Sequence, residues 1–220
     1  MTEFNIEQAR SNMIEQQIRT WEVLDQAVLE VMAAVPREQF VPPRYRKLAF
    51  ADLEIPLGHD QVMMSPKVEG RMLQALDIQP SDRILEIGTG SGYTAACMAR
   101  LGGQVESVDI FKDFTQRARE NLNRIGLNEV NLQTGDAAKG WLNDKRYNVI
   151  ALTGSLPEYD RCFEHSLEIG GRLFMIVGER PVMAAMLILR VGEQDFFRDK
   201  LFETAIPALV HATPVPEFVF

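Results

Sequence analysis

The chain has 220 residues, 46% of them hydrophobic and 25% charged, and its formal net charge is −8. This size and composition fit one α/β domain with an appendage, and no apolar run reaches the ~20 residues of a membrane span. The acidic balance argues against a nucleic-acid partner, which usually leaves a basic footprint. One basic cluster is predicted to be solvated surface around a loop: Arg37, Arg44, Arg46 and Lys47.

The cysteines and the N-terminus bear on the compartment. Cys97 and Cys162 are the only cysteines, and neither has the spacing of a metal ligand. Both are predicted to be free thiols in a reducing cytoplasm. The first residues lack a basic segment followed by an apolar core, so we expect no secretory signal. Together these features predict a cytoplasmic protein with neither a metal nor a membrane partner.

The first part of the chain is predicted to be helical and then irregular. Apolar residues at helical spacing indicate two helices within 5–35, with Asp25 as the N-cap of the second. The stretch 40–65 contains several prolines and a glycine and is predicted to be a long loop, which in a compact protein is usually functional. Ser65 fits the N-cap of a third helix over 66–76, which opens on a proline.

Strands and helices alternate in the rest of the chain, which predicts a mostly parallel, doubly wound sheet. Strands are expected near 83–87, 104–109, 130–134, 147–152 and 172–177. Helices are expected between them, near 92–101, 113–125 and 159–168. Two further apolar strands, 185–191 and 201–206, are joined by a turn and predict an antiparallel edge at the C-terminal end of the sheet.

Residues 83–93 are predicted to form a strand ending in an acid, a glycine-rich turn and the start of a helix. Glycines at 88, 90 and 92 allow a tight turn and a close approach to a ligand, and the helix directs its free N–H groups at that turn. The dinucleotide fingerprint G-x-G-x-x-G would need glycine at 93, where the chain has tyrosine. A second acid, Asp109, stands 109 − 88 = 21 positions after the first glycine, where an acid that binds ribose hydroxyls is expected.

The pattern E-x-G-x-G-x-G resembles the first motif of class I S-adenosylmethionine-dependent methyltransferases. Over nearly its whole length, the chain further resembles the protein-L-isoaspartate O-methyltransferase family. The segments that carry this resemblance are 13–18, 35–42, 48–52, 55–61, 135–136, 140–141, 170–173 and 177–178. The glycine motif is common to methyltransferases, whereas V-P-R-x-x-F-V-P and P-L-G-H-x-Q are much narrower.

The resemblance implies a Rossmann-like fold, S-adenosylmethionine as cofactor and isoaspartyl-containing proteins or peptides as substrates, in a monomer or homodimer. Residues 1–66 would be a helical extension with an acceptor or lid loop, and 67–220 the cofactor-binding domain. Asp109 would bind the ribose and Asp136 the adenine amino group, although Asp136 also fits a surface acid in a turn. The implied cofactor-binding residues are Glu86, Gly88, Thr89, Gly90, Ser91, Asp109, Ile110, Asp136, Ala137 and Thr153.

The acceptor side departs from the family. There the glutamine is followed by T-I-S-Q-P, and the serine hydroxyl is tied to catalysis; here Gln61 is followed by V-M-M-S-P, which puts Met64 at the serine position. Ser65 lies one residue later, where helix capping is the alternative to catalysis. His59 and Gln61 are further acceptor-loop candidates, and each also fits a structural hydrogen-bonding role. Asp60 replaces the usual glycine.

Three hypotheses follow. In the first, the chain is an isoaspartyl methyltransferase with a variant acceptor loop, which uses Ser65 or backbone N–H groups. In the second, it methylates a different acceptor, such as a small molecule or another protein carboxylate. In the third, it binds the cofactor without catalysis. After the fourth strand, residues 152–157 lack the Asn/Asp-Pro-Pro-Tyr pattern of enzymes that methylate adenine or glutamine nitrogen. An NAD-dependent oxidoreductase is disfavoured by Tyr93.

Overall fold

A seven-stranded sheet organises the molecule, whose computed structural model describes residues 5–141 and 144–212. The strands are β1 (Ile55–Gly58), β2 (Gln61–Met63), β3 (Arg83–Ile87), β4 (Gln104–Asp109), β5 (Asn131–Thr134), β6 (Tyr147–Leu156), β7 (Leu167–Glu179), β8 (Val182–Arg190) and β9 (Phe196–Thr204). The large sheet has the order β5-β4-β3-β6-β7-β8-β9. Its pairings are parallel from β5 to β7 and antiparallel from β7 to β9. The predicted α/β fold with an antiparallel C-terminal edge is confirmed.

Within the described residues, five α-helices accompany the sheet, and the first two begin at a short polar side chain that caps a free backbone N–H group. They are α1 (Ile6–Met13), α2 (Gln26–Ala34), α3 (Pro66–Leu76), α4 (Tyr93–Arg100) and α5 (Lys112–Arg124). Asp25 caps α2 as predicted, since its Oδ1 accepts from the N–H of Val28 at 3.1 Å. The first predicted helix continues past α1 as a π-helical turn, Ile14–Ile18, and a 3₁₀ turn, Arg19–Trp21.

The stretch 40–65 is more regular than the sequence predicts. It contains a 3₁₀ helix, Pro43–Leu48, and the antiparallel hairpin of β1 and β2. The hairpin turns through His59 and Asp60, whose φ angles of 50° and 55° are left-handed. Two-residue hairpin turns favour asparagine, aspartate or glycine at such positions, and His59 gives no such signal.

The prediction of a helix over 159–168 is wrong. The chain forms only a 3₁₀ helix, Arg161–Ser166, and enters β7 directly. Glu164 is 1% exposed and is bound by Arg198 of β9, with Nη2 at 2.9 Å from its Oε2. This inward pairing holds the backbone in a short crossover. The last strand also begins earlier than predicted, at Phe196.

The core lies on both faces of the sheet. Alternate residues of β3 point to opposite faces, so Ile84 joins one apolar cluster and Leu85 the other. The first cluster includes residues of the N-terminal extension, among them Met13 and Met32, together with Phe174 of β7. The extension and the sheet therefore share one core, while the division of the chain at residue 66 stays a prediction.

Within the described ranges, no helix combines the length and apolarity that crossing a bilayer requires. The same residues contain no group of three or more histidine, cysteine or acidic side chains arranged to hold a metal ion.

Two glycines allow the packing of α4 on α5 to be measured. We expect Gly92→Ala to lower the free energy of unfolding by about 1–3 kcal/mol more than Gly126→Ala. Both residues have positive φ, so both variants carry the same backbone penalty, but only at Gly92 would a Cβ meet Ala118, at 2.9 Å. Urea unfolding measures the difference, and Gly92→Ala combined with Ala118→Gly should recover part of it. Equal losses at the two glycines would contradict the steric argument.

Candidate active site

The turn between β3 and α4 passes so close to its neighbours that a side chain would not fit at Gly88. Gly88 donates its N–H to the carbonyl of Val108 at 2.8 Å, and its φ of 98° is left-handed. A Cβ at Gly88 would collide with the hydroxyl of Thr153 on β6. Thr153 in turn donates to the Gly88 carbonyl at 2.5 Å. The turn is thereby fixed between two neighbouring strands.

An open cavity of about 540 Å³ lies at the carboxyl ends of the parallel strands. The predicted cofactor residues on its wall are Gly88, Gly90, Asp109, Ile110, Asp136, Ala137 and Thr153. Leu209 and Val210, which follow the last strand, complete the wall. Sequence reasoning missed these two because neither carries a polar signal.

Asp109 lies on the wall of this cavity, which we call the outer cavity. Backbone N–H groups hold its carboxylate. Its Oδ2 accepts from Gly90 at 2.8 Å and its Oδ1 from Phe111 at 2.9 Å. Burial raises the pKa of its carboxyl, and the two backbone hydrogen bonds oppose that shift. The carboxylate is therefore fixed in orientation and keeps lone pairs for ligand hydroxyls.

Asp136 also lies on the wall of the outer cavity and has a partner that the sequence did not indicate. Its Oδ2 is 2.8 Å from Nδ1 of His211, and its Oδ1 accepts from Ala138 at 3.1 Å. The hydrogen bond from His211, followed by that from Ala138, lowers the pKa of Asp136. Since 75 residues separate Asp136 and His211, no local pattern could reveal this pair.

Glu86 is completely buried behind the glycine turn and is not part of either cavity wall. Its Oε2 accepts from the Ser107 hydroxyl at 2.5 Å, and its Oε1 has no hydrogen-bond partner among the described residues. Burial raises its pKa to about 8, and the nearby Asp109 and Glu69 add to that shift. The carboxyl is thus mainly protonated at neutral pH in the folded chain.

A second, inner cavity of about 270 Å³ adjoins the first. The two share Leu57, Val62, Gly88, Gly90 and Thr153. The inner wall also includes Thr89 and Ser91 of the turn, Met64 before α3 and Glu69 within it. Glu69 is buried, and burial raises its pKa to about 7, against the lowering effect of the Arg37 guanidinium. A ligand in the outer cavity would therefore extend directly under the segment that carries Met64.

The three acceptor-loop candidates lie in different places. Gln61 is on the outer cavity wall, and its Nε2 donates to the carbonyl of Ala208 at 3.4 Å. His59 stacks on Phe111 at 3.9 Å and lies 3.0 Å from Asp113, outside both walls. Ser65 precedes α3 at the N-cap position, but its side chain makes no capping hydrogen bond and lines neither cavity.

Arg37 was expected in a solvated basic cluster, and this expectation is wrong. Its side chain is 0% exposed and pairs with Glu69. The other three members, Arg44, Arg46 and Lys47, are exposed as predicted. Burial of Arg37 depends on partners up to 32 residues away, which the local composition does not reveal.

The site fits a bound S-adenosylmethionine. Gly88 and Gly90 lie on the wall of the outer cavity, so a ligand there would meet backbone at these two positions. Asp109 presents a carboxylate of fixed orientation to the outer cavity, and its role in binding ribose hydroxyls stays a prediction.

The buried Glu86 should make the apo protein less stable as pH rises. In the unfolded chain this carboxyl titrates near 4.5, and in the folded chain near 8, so the folded state holds a proton that the unfolded state has released between these values. The free energy of unfolding therefore falls from about pH 4.5 to pH 8. We expect Glu86→Gln to remove this fall, so that its stability relative to wild type increases from pH 5 to pH 8. Urea unfolding at unit pH steps measures the difference in free energy of unfolding between each variant and wild type, with exposed Glu120→Gln as the control. If the free energies of Glu86→Gln and wild type change in parallel with pH, the prediction is wrong.

Comparison with known proteins agrees with this geometry. The profile of the family described as protein-L-isoaspartate(D-aspartate) O-methyltransferase (PCMT) matches residues 8–210. A protein-L-isoaspartate O-methyltransferase of Gloeobacter violaceus is 34% identical over 202 residues, which cover 92% of this chain and 98% of that protein. One of Aeropyrum pernix is 40% identical over 185 residues, covering 82% and 71%.

A solved structure shares the fold over the same extent. It is that of a Plasmodium falciparum protein assigned as a protein-L-isoaspartate O-methyltransferase, in complex with S-adenosyl-L-homocysteine. The TM-score is 0.77 at 18% identity, over 94% of this chain and 99% of that one. With a profile match over most of the chain and relatives above 30% identity along most of their length, this chain belongs to the protein-L-isoaspartate O-methyltransferase family.

Proposed function

We propose that this chain transfers the methyl group of S-adenosylmethionine to the carboxylate of L-isoaspartyl residues in proteins, as a repair enzyme. The observation that carries the proposal is the pair of adjoining cavities. The outer cavity lies at the glycine turn and would hold the cofactor, and the inner cavity is lined in part by residues 61–65, which we call the acceptor segment. Family membership over residues 8–210 includes both of them.

The roles of individual residues are part of the proposal. Asp109 binds the ribose hydroxyls, Asp136 the adenine amino group, and the turn of Gly88 and Gly90 the amino-acid end of the cofactor. The remaining contacts come from Thr89, Ser91, Ile110, Ala137 and Thr153. Glu86 is fully buried next to the turn, so its proposed role is to support the turn from within the core.

The chemistry demands positioning more than proton transfer. When bound, S-adenosylmethionine supplies a methyl group activated by its sulfonium. The acceptor carboxylate is already ionised near pH 7, because such groups have pKa values near about 4. No strong general base is needed, so alignment and exclusion of water supply the acceleration. The apolar wall of Leu57, Val62 and Met64 serves the second purpose.

A second candidate rests on Met64 itself. A thioether donates no hydrogen bond, and the nearby Ser65 hydroxyl lines neither cavity. The candidate is an enzyme of the same fold and cofactor that methylates a different carboxylate acceptor.

For the compartment we propose the cytoplasm, which the free thiols Cys97 and Cys162 support. Whether the chain is a monomer or a homodimer stays a prediction.

The substrate assignment can be tested by transfer of labelled methyl to an isoaspartyl peptide, with the normal aspartyl peptide as control. We expect turnover on the isoaspartyl peptide alone. We also expect Met64→Ser to change kcat by no more than about ten-fold, since one added hydrogen bond is worth about 1 kcal/mol. Met186→Ser, on β8 and on neither cavity wall, is the control.

Two outcomes would contradict the proposal in different ways. No turnover despite intact binding of S-adenosylhomocysteine, with rescue by Met64→Ser, would place a defect in the acceptor segment of the natural chain. No turnover with or without the serine would favour the second candidate and direct the search to other carboxylates.

The cofactor residues can be tested by calorimetric titration with S-adenosylhomocysteine. We expect Asp109→Asn to weaken binding by about 10- to 100-fold, because hydrogen bonds from ribose hydroxyls to a charged group are lost. Asp136→Asn should weaken it less, because its carboxylate is about half exposed and already bound to His211. Asp199→Asn, exposed on β9, is the control. An unchanged dissociation constant for Asp109→Asn would remove the ribose role.

A further inference from the structure

Arg37 is a charged side chain in the apolar core, and each of its nitrogen atoms has a partner. Nε donates to the carbonyl of Ala49 at 2.8 Å, and Nη2 to the carbonyl of Met64 at 2.7 Å. Nη1 donates to the carboxylate of Glu69. Arg37 and Glu69 are 0% and 2% exposed. One guanidinium thus joins the end of the 3₁₀ helix, the acceptor segment and helix α3.

The same guanidinium is in contact with the cofactor side of the site. Its central carbon lies 4.8 Å from the centre of the Tyr93 ring, and Tyr93 is the first residue of α4, directly after the glycine turn. Phe40 packs edge-on against the same ring at 5.6 Å. Arg37 therefore connects the segment that carries Met64 to the turn that carries the cofactor.

Stability alone does not explain this arrangement. A buried ion pair loses the hydration of both charges, and apolar residues of similar volume often stabilise a core as well or better. What an apolar pair cannot do is donate a hydrogen bond to the Met64 carbonyl. A lysine cannot replace the arginine fully either, because it lacks the planar fork that reaches three acceptors in fixed directions.

We propose that Arg37 is a positioning residue for methyl transfer: by holding the Met64 carbonyl and Glu69 beside Tyr93, it fixes the inner cavity wall against which the acceptor carboxylate lies. The kinetic part of this inference rests on the proposed function. Methyl transfer needs an in-line approach of acceptor and methyl group, and small displacements of the reacting groups have large effects on rate. The groups that Arg37 holds belong to the acceptor side, so its effect should fall on kcat rather than on cofactor binding.

The decisive variant removes both charges together. Arg37→Met with Glu69→Leu leaves no unpaired buried charge, so the melting temperature should stay near that of wild type. We expect kcat on the isoaspartyl peptide to fall at least ten-fold, with the dissociation constant of S-adenosylhomocysteine within about three-fold of wild type. Amide hydrogen exchange of residues 61–65, followed by mass spectrometry, should become faster. Arg37→Lys, which keeps the charge, should lose less of kcat than the double variant.

Arg46→Met is the matched control, since Arg46 is exposed on the neighbouring 3₁₀ helix. If the double variant keeps wild-type kcat and wild-type exchange at 61–65, Arg37 has only a packing role and the inference is overturned. Should the double variant fail to fold, Arg37→Lys decides by the same two measurements. A wild type without isoaspartyl turnover would refute the proposed function, while the exchange measurement still decides whether Arg37 holds the Met64 segment.

Discussion

The turn between β3 and α4 sets how closely the elements around the site approach one another. It passes so close to its neighbours that Gly88 faces the Thr153 hydroxyl and Gly92 faces Ala118 of α5. Because strand β6 and helix α5 approach this closely, the ligand-facing surface is backbone, and the acids around it are oriented by backbone N–H groups. Asp109 is the clearest case, with Gly90 and Phe111 each donating to one of its oxygens.

The same turn sets the position of the acceptor side. Tyr93 starts α4 at the end of the turn, and its ring contacts Phe40 and Arg37 of the N-terminal extension. The two cavities share part of their wall, so the acceptor segment forms part of the cofactor site. Met64, at the family's serine position, lines only the inner cavity, so a change there acts first on the acceptor half of the site.

Local patterns were sufficient to predict features that depend on neighbouring residues. Short continuous apolar runs predicted the buried strands, and the left-handed turn needed glycines that are visible in the sequence. The interval from Gly88 to Asp109 predicted that the acid ends the next strand, because this interval spans one strand-helix-strand unit. Features that depend on distant partners were not predictable. Arg37 is internal because Glu69 and two carbonyls meet it, and the short crossover after β6 follows from Glu164 pairing with Arg198.

Charge explains how a site with buried acids can accept a carboxylate. Glu69 and Glu86 would repel an anionic acceptor if both were ionised without compensation. Burial keeps Glu86 mainly protonated near neutral pH, and Arg37 balances Glu69, so neither adds a free negative charge to the inner cavity. Transfer then joins an anionic carboxylate to the methyl of a cationic sulfonium and leaves neutral products. Such a charge-annihilating step is favoured where water is excluded and the local dielectric is low. A serine at position 64 would orient the acceptor with one hydrogen bond but would also solvate its charge. Methionine gives up that bond and leaves an apolar wall, so the proposed transfer would depend on the position of the Met64 backbone, which Arg37 holds through the Met64 carbonyl.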